Sequence, residues 1–599
     1  MFIKKTKTRE KNNSSYYTFR LVENYRGTDN KVKSETLLNL GANYNYDKEQ
    51  RSIISHRVES ILRHQAMLID IDPTLEDEGQ RIANLVIKKY GKEIYIDENN
   101  EPTYESIDPT TLENSNVRTV GAEHAVYQTA VKIGLPSIFK DCGFNGKEVN
   151  IATATIAAKI LAPASDFATS DYLRSDSGLD EIMGTNFGGI NKNHLYDISD
   201  KILKNQDKIE TALFEKEKNI FQFDDVITLY DLTNTYFEGR SKKSDYAQFG
   251  RSKEKRNDCT IVTLALVLSG SGFPKKSKIF HGNVSEPKTL KEMLAELTDK
   301  KCTVVMDAGI ATEDNIKYLV DEGYKYILVS REREQKFPKD VTPVVVKETK
   351  DNKVTAALVT SEDSEEKKLY CHSEDKQKKE ETMSEKSTER FEIALKNIVS
   401  SLSRKGGVKK LDLVNQRIGR IKERYKGIAR LYDIKIEPDE KNKVVTNITW
   451  KYHPERKKKE DGVYCLRTNQ SFDEKELWKT YTTITNIEDA FRCMKTDLAM
   501  RPVYHQTDNR IAGHLFITVL AYHVLHAMRT MMKNASLDLS WKSAMRNLKR
   551  HFRLTTSMKC RDGKTMHIRK TMRANITQLS IYKALGIISR PINGIISKF

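Results

Sequence analysis

CTVVMDAGIATEDNIKYLVDEGYKYILVS, residues 302–330, reads as strand, helix, strand: two short apolar, β-branched runs enclose a helical pattern that starts at Ala311. Three similar runs precede it, ITLYDLT (227–233), CTIVTLALVLS (259–269) and KSKIFHG (276–282), each bounded by Gly, Pro or charges. A second helical pattern, TLKEMLAEL from Thr289, separates the third run from the fourth. Three consecutive strands followed by helix, strand, helix, strand predict a mixed sheet covered by helices.

Outward from this centre the chain is too long for one hydrophobic core, since 599 residues predict several domains. With 101 Lys and Arg against 83 Asp and Glu, the formal charge of +18 sets up a field attractive to polyanions. Nucleic acid is the expected partner, because the basic residues are spread over many segments with no dominant amphipathic basic helix of the kind that lies on membranes. No N-terminal signal pattern is visible, and the longest apolar run, Leu515 to Met528, is short and interrupted by histidines, so a buried helix is expected there and no membrane partner. Seven scattered Cys without a CxxC pair indicate neither disulfides nor zinc, which fits a reducing cytoplasm, and Cys371-His372 alone is too little for a metal.

The flanks differ in texture. Residues 1–115 begin with alternating segments, Tyr16 to Tyr25 and a run ending at Gly41, which read as a β-hairpin across RGTDN, followed by helical patterns. Residues 116–222 are nearly all helical and are expected to bind DNA. Residues 223–331 form the first part of the core. Residues 332–470 break its alternation with a highly charged stretch, expected as a solvated helix or flexible link, then paired helices and strand-like VVTNITWKY and DGVYCLRT; they read as an insertion. Residues 471–533 return to the core, and 534–599 form a basic C-terminal region with a possible hairpin at MKCRDGKTMHIRK.

Acidic residues stand out in two strands. Asp231 lies inside ITLYDLT and Asp307 ends CTVVMD just before Ala-Gly, and a carboxylate in an apolar strand is costly to bury unless a cation compensates it. For Asp307 the alternative is an ordinary helix-capping role. A third carboxylate is Glu488, in YTTITNIEDAFRCMK (481–495), where Tyr481, Glu488 and Lys495 are spaced by seven and project from one face of a single predicted helix, beside Ile484 and Arg492. Three oxygen ligands from two strands and a helix suit two Mg2+ ions acting on a phosphodiester. Asp224, Asp225 and Asp258 are competing positions that spacing does not eliminate.

These motifs in order, YDLTNTYFEGR around Asp231, GRSKEKRND, FHGNVSEPKTL, VVMDAGIATEDNI around Asp307, and Tyr481 to Lys495 followed by RPVYHQTDNRIAGHLF, resemble a DDE transposase of a bacterial insertion sequence, of the branch marked by a Tyr-x2-Arg-x3-Glu-x6-Lys signature. The resemblance implies an RNase H-like core interrupted by a partly β insertion. It implies Asp231, Asp307 and Glu488 as catalytic ligands of two Mg2+ ions, with Mn2+ able to substitute. It implies Tyr481 and Lys495 as DNA contacts near the cleaved phosphate. Ile484 stands where the signature has arginine, and Arg492, one turn past Glu488, is the expected substitute. Trp450 is the expected insertion aromatic for stacking a displaced base, with packing in the insertion's own core as the alternative. Expected partners are terminal inverted repeats, target DNA and a second copy of the chain on paired ends, in a nucleoid-associated cytoplasmic protein. The alternatives are an RNase H-like nuclease or resolvase that cuts without joining, and a domesticated, non-catalytic DNA-binding protein.

Overall fold

The computed structural model describes residues 1–11, 14–26, 32–62, 72–90, 106–239, 241–254, 256–295, 302–332, 335–349, 352–360, 365–439 and 444–598. The chain divides into two compact units: Met1–Gln222, Asn234–Val262 and Ala490–Phe599 form one, and Phe223–Thr233 with Thr263–Asp489 form the other.

All five apolar runs are strands: β1 Ile227–Tyr236, β2 Ile261–Ser269, β3 Pro274–His281, β4 Thr303–Met306 and β5 Lys325–Val329. The segment read as an insertion supplies four more, β6 Val344–Glu348, β7 Lys353–Thr360, β8 Lys367–Ser373 and β9 Val463–Thr468. They form one nine-stranded sheet in the order β6-β7-β8-β9-β5-β4-β1-β2-β3. β1, β4 and β5 pair in parallel, whereas β9 meets β5 antiparallel and β6 to β9 pair antiparallel, so the sheet is mixed, as expected.

Every residue of β2 is buried, which is how a continuous apolar run is used when both faces of a sheet are covered. Helices α1 Glu286–Ala295 and α2 Glu313–Asp321 supply cover: Leu290, Met293, Ile316 and Leu319 pack with Tyr230, Val304, Met306 and Leu328 in one cluster. Thr312 caps α2 by accepting from the Asn315 amide, and Gly323, at φ +82°, turns the chain out of it toward β5.

The charged stretch between β8 and β9 is not a flexible link. It forms most of a 29-residue helix, Glu374–Leu402, whose second half buries Phe391, Leu395, Ile398 and Leu402. Those side chains pack on helix Leu411–Arg424 and on the hairpin of Tyr432–Asp439 and Val444–Tyr452.

The stretch 481–495, predicted as one helix, is two. Helix α3 Glu474–Thr482 ends at Thr483, and α4 Ile484–Thr496 begins immediately after it. A run of threonines explains the break, because their hydroxyls compete for helix carbonyls: Thr482 Oγ1 donates to Lys479 O at 2.7 Å and Thr483 Oγ1 to Thr480 O at 2.6 Å.

In the other unit, strands Phe2–Lys11, Ser14–Arg26 and Val32–Gly41 form an antiparallel sheet, one strand more than the predicted hairpin. Residues 27–30 of the predicted turn lie outside the described residues. Leu21 and Leu37 of this sheet pack on Ile54, Val58, Ile82 and Val86 of helices Lys48–Leu62 and Pro73–Tyr90. The C-terminal hairpin, Phe552–Cys560 with Thr565–Thr571, gains the strands Ile107–Thr119 and Ile595–Lys598. Between these sheets in sequence, helices from Gly121 to Phe221 pack around α5 Asp508–Asn534. Helix α5 is long and apolar enough to cross a membrane by length and composition, but 89 % of its apolar window is buried inside the protein, the arrangement of a core helix.

Candidate catalytic site

The parallel register of β1 on β4 runs from Ile227 opposite Thr303 to Tyr230 opposite Met306. One residue further on each chain stand Asp231 and Asp307, at the same level on neighbouring strands spaced about 4.8 Å apart. Asp307 directly follows β4, at the carboxyl edge where open α/β sheets bind ligands, and is exposed; Asp231 is half-buried between buried Tyr230 and Leu232. Strand pairing thus brings together two carboxylates that are 76 positions apart in the numbering.

Two further residues stand close to this edge. A Cβ on Gly309 would lie 2.8 Å from Glu286 Oε2, so glycine there lets the Glu286 carboxylate approach the backbone two residues after Asp307. Tyr230 bonds Thr289 at 2.6 Å, and its phenol is raised first by burial, then by the charges of Asp231 and Glu286, while the Thr289 bond lowers it. Glu286 was not singled out from the sequence, although it lies in FHGNVSEPKTL.

The Tyr481 phenol is pushed up to about 12, by burial first, then by the negative charges of Asp307 and Glu488. Its ring lies 6.2 Å from that of Tyr464, which accepts a hydrogen bond from Trp478 Nε1 at 2.9 Å. On α4, Ile487, Cys493 and Met494 are buried while Glu488 and Arg492 are exposed, and Asn486 Nδ2 ties the helix start to Gly270 O at 2.8 Å. Ile484 is 8 % exposed. A guanidinium at that position would face protein.

Lys495 pairs with Glu254 at 3.4 Å, and Arg501 also pairs with Glu254. Glu254 sits on a basic loop held by Asn234, whose amide accepts from Lys253 N at 3.0 Å and donates to Arg251 O at 3.4 Å. Neither Glu254 nor Arg501 was picked out from the sequence, because only tertiary contact joins them. Of the competing aspartates, Asp225 pairs with Lys275, Asp258 is held by two 2.6 Å bonds from Arg256, and Asp224 is exposed. Trp450 is half-buried and packs against both hydrophobic clusters of the insertion.

Among the described residues, no three His, Cys, Asp or Glu side chains lie close enough together to hold a metal ion. The donor chemistry of Asp231, Asp307 and Glu488 nevertheless fits a hard cation, being carboxylate oxygen without thiolate or imidazole. The two strand aspartates form the paired part of that set. The negative charges of Asp307 and Glu488 both act on the Tyr481 phenol.

Comparison with known proteins shows the family. Residues 222–524, just over half of the chain, match the transposase DDE domain family, and residues 3–68 match the N-terminal domain of IS1634 family transposases. No curated protein matches the sequence. Among solved structures, a piggyBac transposase in a synaptic complex with hairpin DNA, determined by cryo-EM, aligns over 75 % of this chain and 82 % of its own at 8 % identity, with a TM-score of 0.33. With more than half of its length matched by the DDE domain, this chain belongs to the DDE transposases.

Proposed function

We propose that the protein is the Mg2+-dependent transposase of its own insertion sequence, with Asp231, Asp307 and Glu488 as its metal-binding catalytic carboxylates. It binds the terminal inverted repeats, cleaves by attack of water on a phosphodiester, and joins the freed 3′-hydroxyl to target DNA by direct transesterification. The observation that supports this reading is the β1–β4 register, which runs to Tyr230 opposite Met306, one residue before Asp231 and Asp307. The chemistry that two Mg2+ ions, or Mn2+ in their place, supply when bound is activation of the attacking oxygen and stabilisation of the leaving one. The succession β1, β2, β3, with the helix-linked parallel strands β4 and β5 on the other side of β1, supports an RNase H-like core.

The chain's own residues divide the remaining work. Tyr481, held protonated by burial and by two carboxylates, donates a hydrogen bond to a DNA phosphate rather than acting as a base. Lys495 contacts DNA near the cleaved phosphate, and Arg492, exposed on α4 four residues past Glu488, takes the role of the missing signature arginine. Trp450 retains enough exposure to stack a displaced base in addition to packing. The protein acts as a homodimer on paired ends in the cytoplasm, at the nucleoid.

Incubation with Mg2+, a labelled element end and a plasmid target tests the reading. Strand-transfer product that vanishes in Asp231→Asn is expected. Cleavage without joining points instead to a nuclease, and tight binding with neither reaction to a domesticated DNA-binding protein.

A further inference from the structure

RPVYHQTDNRIAGHLF, which follows the Glu488 helix, has no role in the chemistry above, yet it lines a cavity of about 270 Å³ within the unit built around α5. Three helices of that unit begin at this cavity: Asp166–Ser175, Lys192–Lys204 and α5, whose N-cap Thr507 makes no side-chain cap bond. Ser165 and Asn191 already accept from first-turn amides of the first two, and the dipoles of all three favour an anion.

Cationic side chains of the lining, one of them buried, point the same way. Lys159 is 8 % exposed and makes one hydrogen bond among the described residues, to Ala499 O at 3.3 Å. Arg510 lies over the Tyr196 ring at 4.6 Å and pairs through Nη2 with Asp200 at 3.1 Å, while its buried Nη1 has no hydrogen-bond partner among the described residues. His514 Nε2 donates to Met500 O at 3.1 Å, and Lys192 completes the cationic lining. Asp166 is the acidic residue of the lining, and it pairs with His505 at 3.5 Å. Burial pulls Lys159 down to about 8 against the opposing charge of Asp166, so an arriving anion would stabilise its ammonium.

Two aromatic side chains of the lining are left largely in solvent: Phe167 is 62 % and Tyr504 61 % exposed. Exposed rings beside a cationic pocket are what a single-stranded nucleotide needs, a platform for its base and donors for its phosphate. The volume lies just below the roughly 300–1,000 Å³ of ligand sites, which suits one nucleotide and excludes a duplex.

We propose that this cavity is a nucleotide subsite, in which Lys159 and Arg510 hold the phosphate of one unpaired DNA nucleotide while its base stacks on Tyr504 or Phe167. The subsite does not depend on the assignment of Asp231, Asp307 and Glu488.

Full-length protein in EDTA, where no cleavage occurs, is photo-crosslinked to a 5′-phosphorylated single-stranded oligonucleotide carrying 5-iodouracil. The expected crosslinked peptide contains Tyr504 or Phe167. Its yield at sub-saturating oligonucleotide falls at least about tenfold in Arg510→Gln, as loss of a charged hydrogen bond requires. Competition by excess unlabelled oligonucleotide but not by blunt duplex or dTMP identifies a DNA strand as the source. Equal competition by dTMP identifies a free nucleotide and leaves the subsite standing. Competition by inorganic phosphate as effective as by dTMP overturns the proposal, because the base would then contribute nothing. Crosslinks elsewhere, or an unchanged yield in a folded Arg510→Gln, also overturn it. Should Arg510→Gln fail to fold, Tyr504→Ala on the exposed ring must weaken oligonucleotide binding roughly tenfold by fluorescence anisotropy, and no weakening refutes the subsite.

Discussion

Replacing Asp307 with Asn tests the paired aspartates without relying on catalysis. Register runs to Tyr230 opposite Met306, one residue before each aspartate, so the strand spacing of about 5 Å is taken as the separation of their charges. Coulomb's law at that distance and an effective dielectric of about 20 gives a repulsion of roughly 3 kcal/mol. Asp307 is exposed, and solvent and salt reduce this to about 1 kcal/mol. In EDTA, Asp307→Asn therefore melts roughly 2–4 °C above the wild type, followed by near-ultraviolet circular dichroism. Mg2+ reverses the order. At a free concentration one hundred times its Kd, the wild type gains about 2.7 kcal/mol, while the variant, short of one ligand, gains much less. The reasoning is refuted if the variant melts below the wild type in EDTA, or if Mg2+ raises both proteins equally.

Other perturbations address the surroundings. Arg553 is fully buried and donates to Glu181 at 2.7 Å, with Arg569 on the other oxygen; Glu181→Gln should cost about 3–5 kcal/mol, read from the urea midpoint. Burial pushes the Glu181 carboxyl up, but Arg569 and then Arg553 outweigh it and hold it below the usual range. The stability it contributes is present above the unfolded value of about 4.3 and is lost as pH falls through the lower folded value, so the wild-type and Glu181→Gln melting temperatures should converge below about pH 4. Lys495→Met should weaken binding to all duplexes alike and reduce the slope of log affinity against log salt by about 1, measured by anisotropy; a sequence-dependent loss would contradict a phosphate contact. Gly309→Ala drives a Cβ to 2.8 Å from Glu286 Oε2 and should lower strand transfer by as much as about 100-fold through displacement of Asp307, with DNA affinity unchanged. Full activity in that variant would show that the Glu286–Gly309 approach has no part in the site.

Why some of this was legible before folding, and some not, follows from where each signal resides. Among the core strands, β2 and β4 announce themselves most clearly because every residue of each is buried, so both remain largely apolar along their length. Asp231 stands out as the charge inside such a run, and Asp307 as the one at its end. Strand Ile107–Thr119 escapes notice because it is polar and mostly exposed, and because it pairs with Phe552–Cys560 more than 400 residues away. The 29-residue helix Glu374–Leu402 looks like a solvated link since its buried side chains begin only at Phe391. The break at Thr483 depends on hydroxyl-to-carbonyl bonds that no periodicity expresses. Glu254, Arg501 and Glu286 are ordinary surface residues until the fold brings Lys495 and Gly309 to them.

The account rests most on Glu488, the proposed third carboxylate, which lies on helix α4 and not in strand register with the other two. The direct measurement is formation of joined product from a labelled element end and plasmid target in Mg2+, comparing wild type with Glu488→Gln at equal DNA occupancy. The account predicts that joined product disappears while end binding persists; joined product at the wild-type level in Glu488→Gln would contradict it.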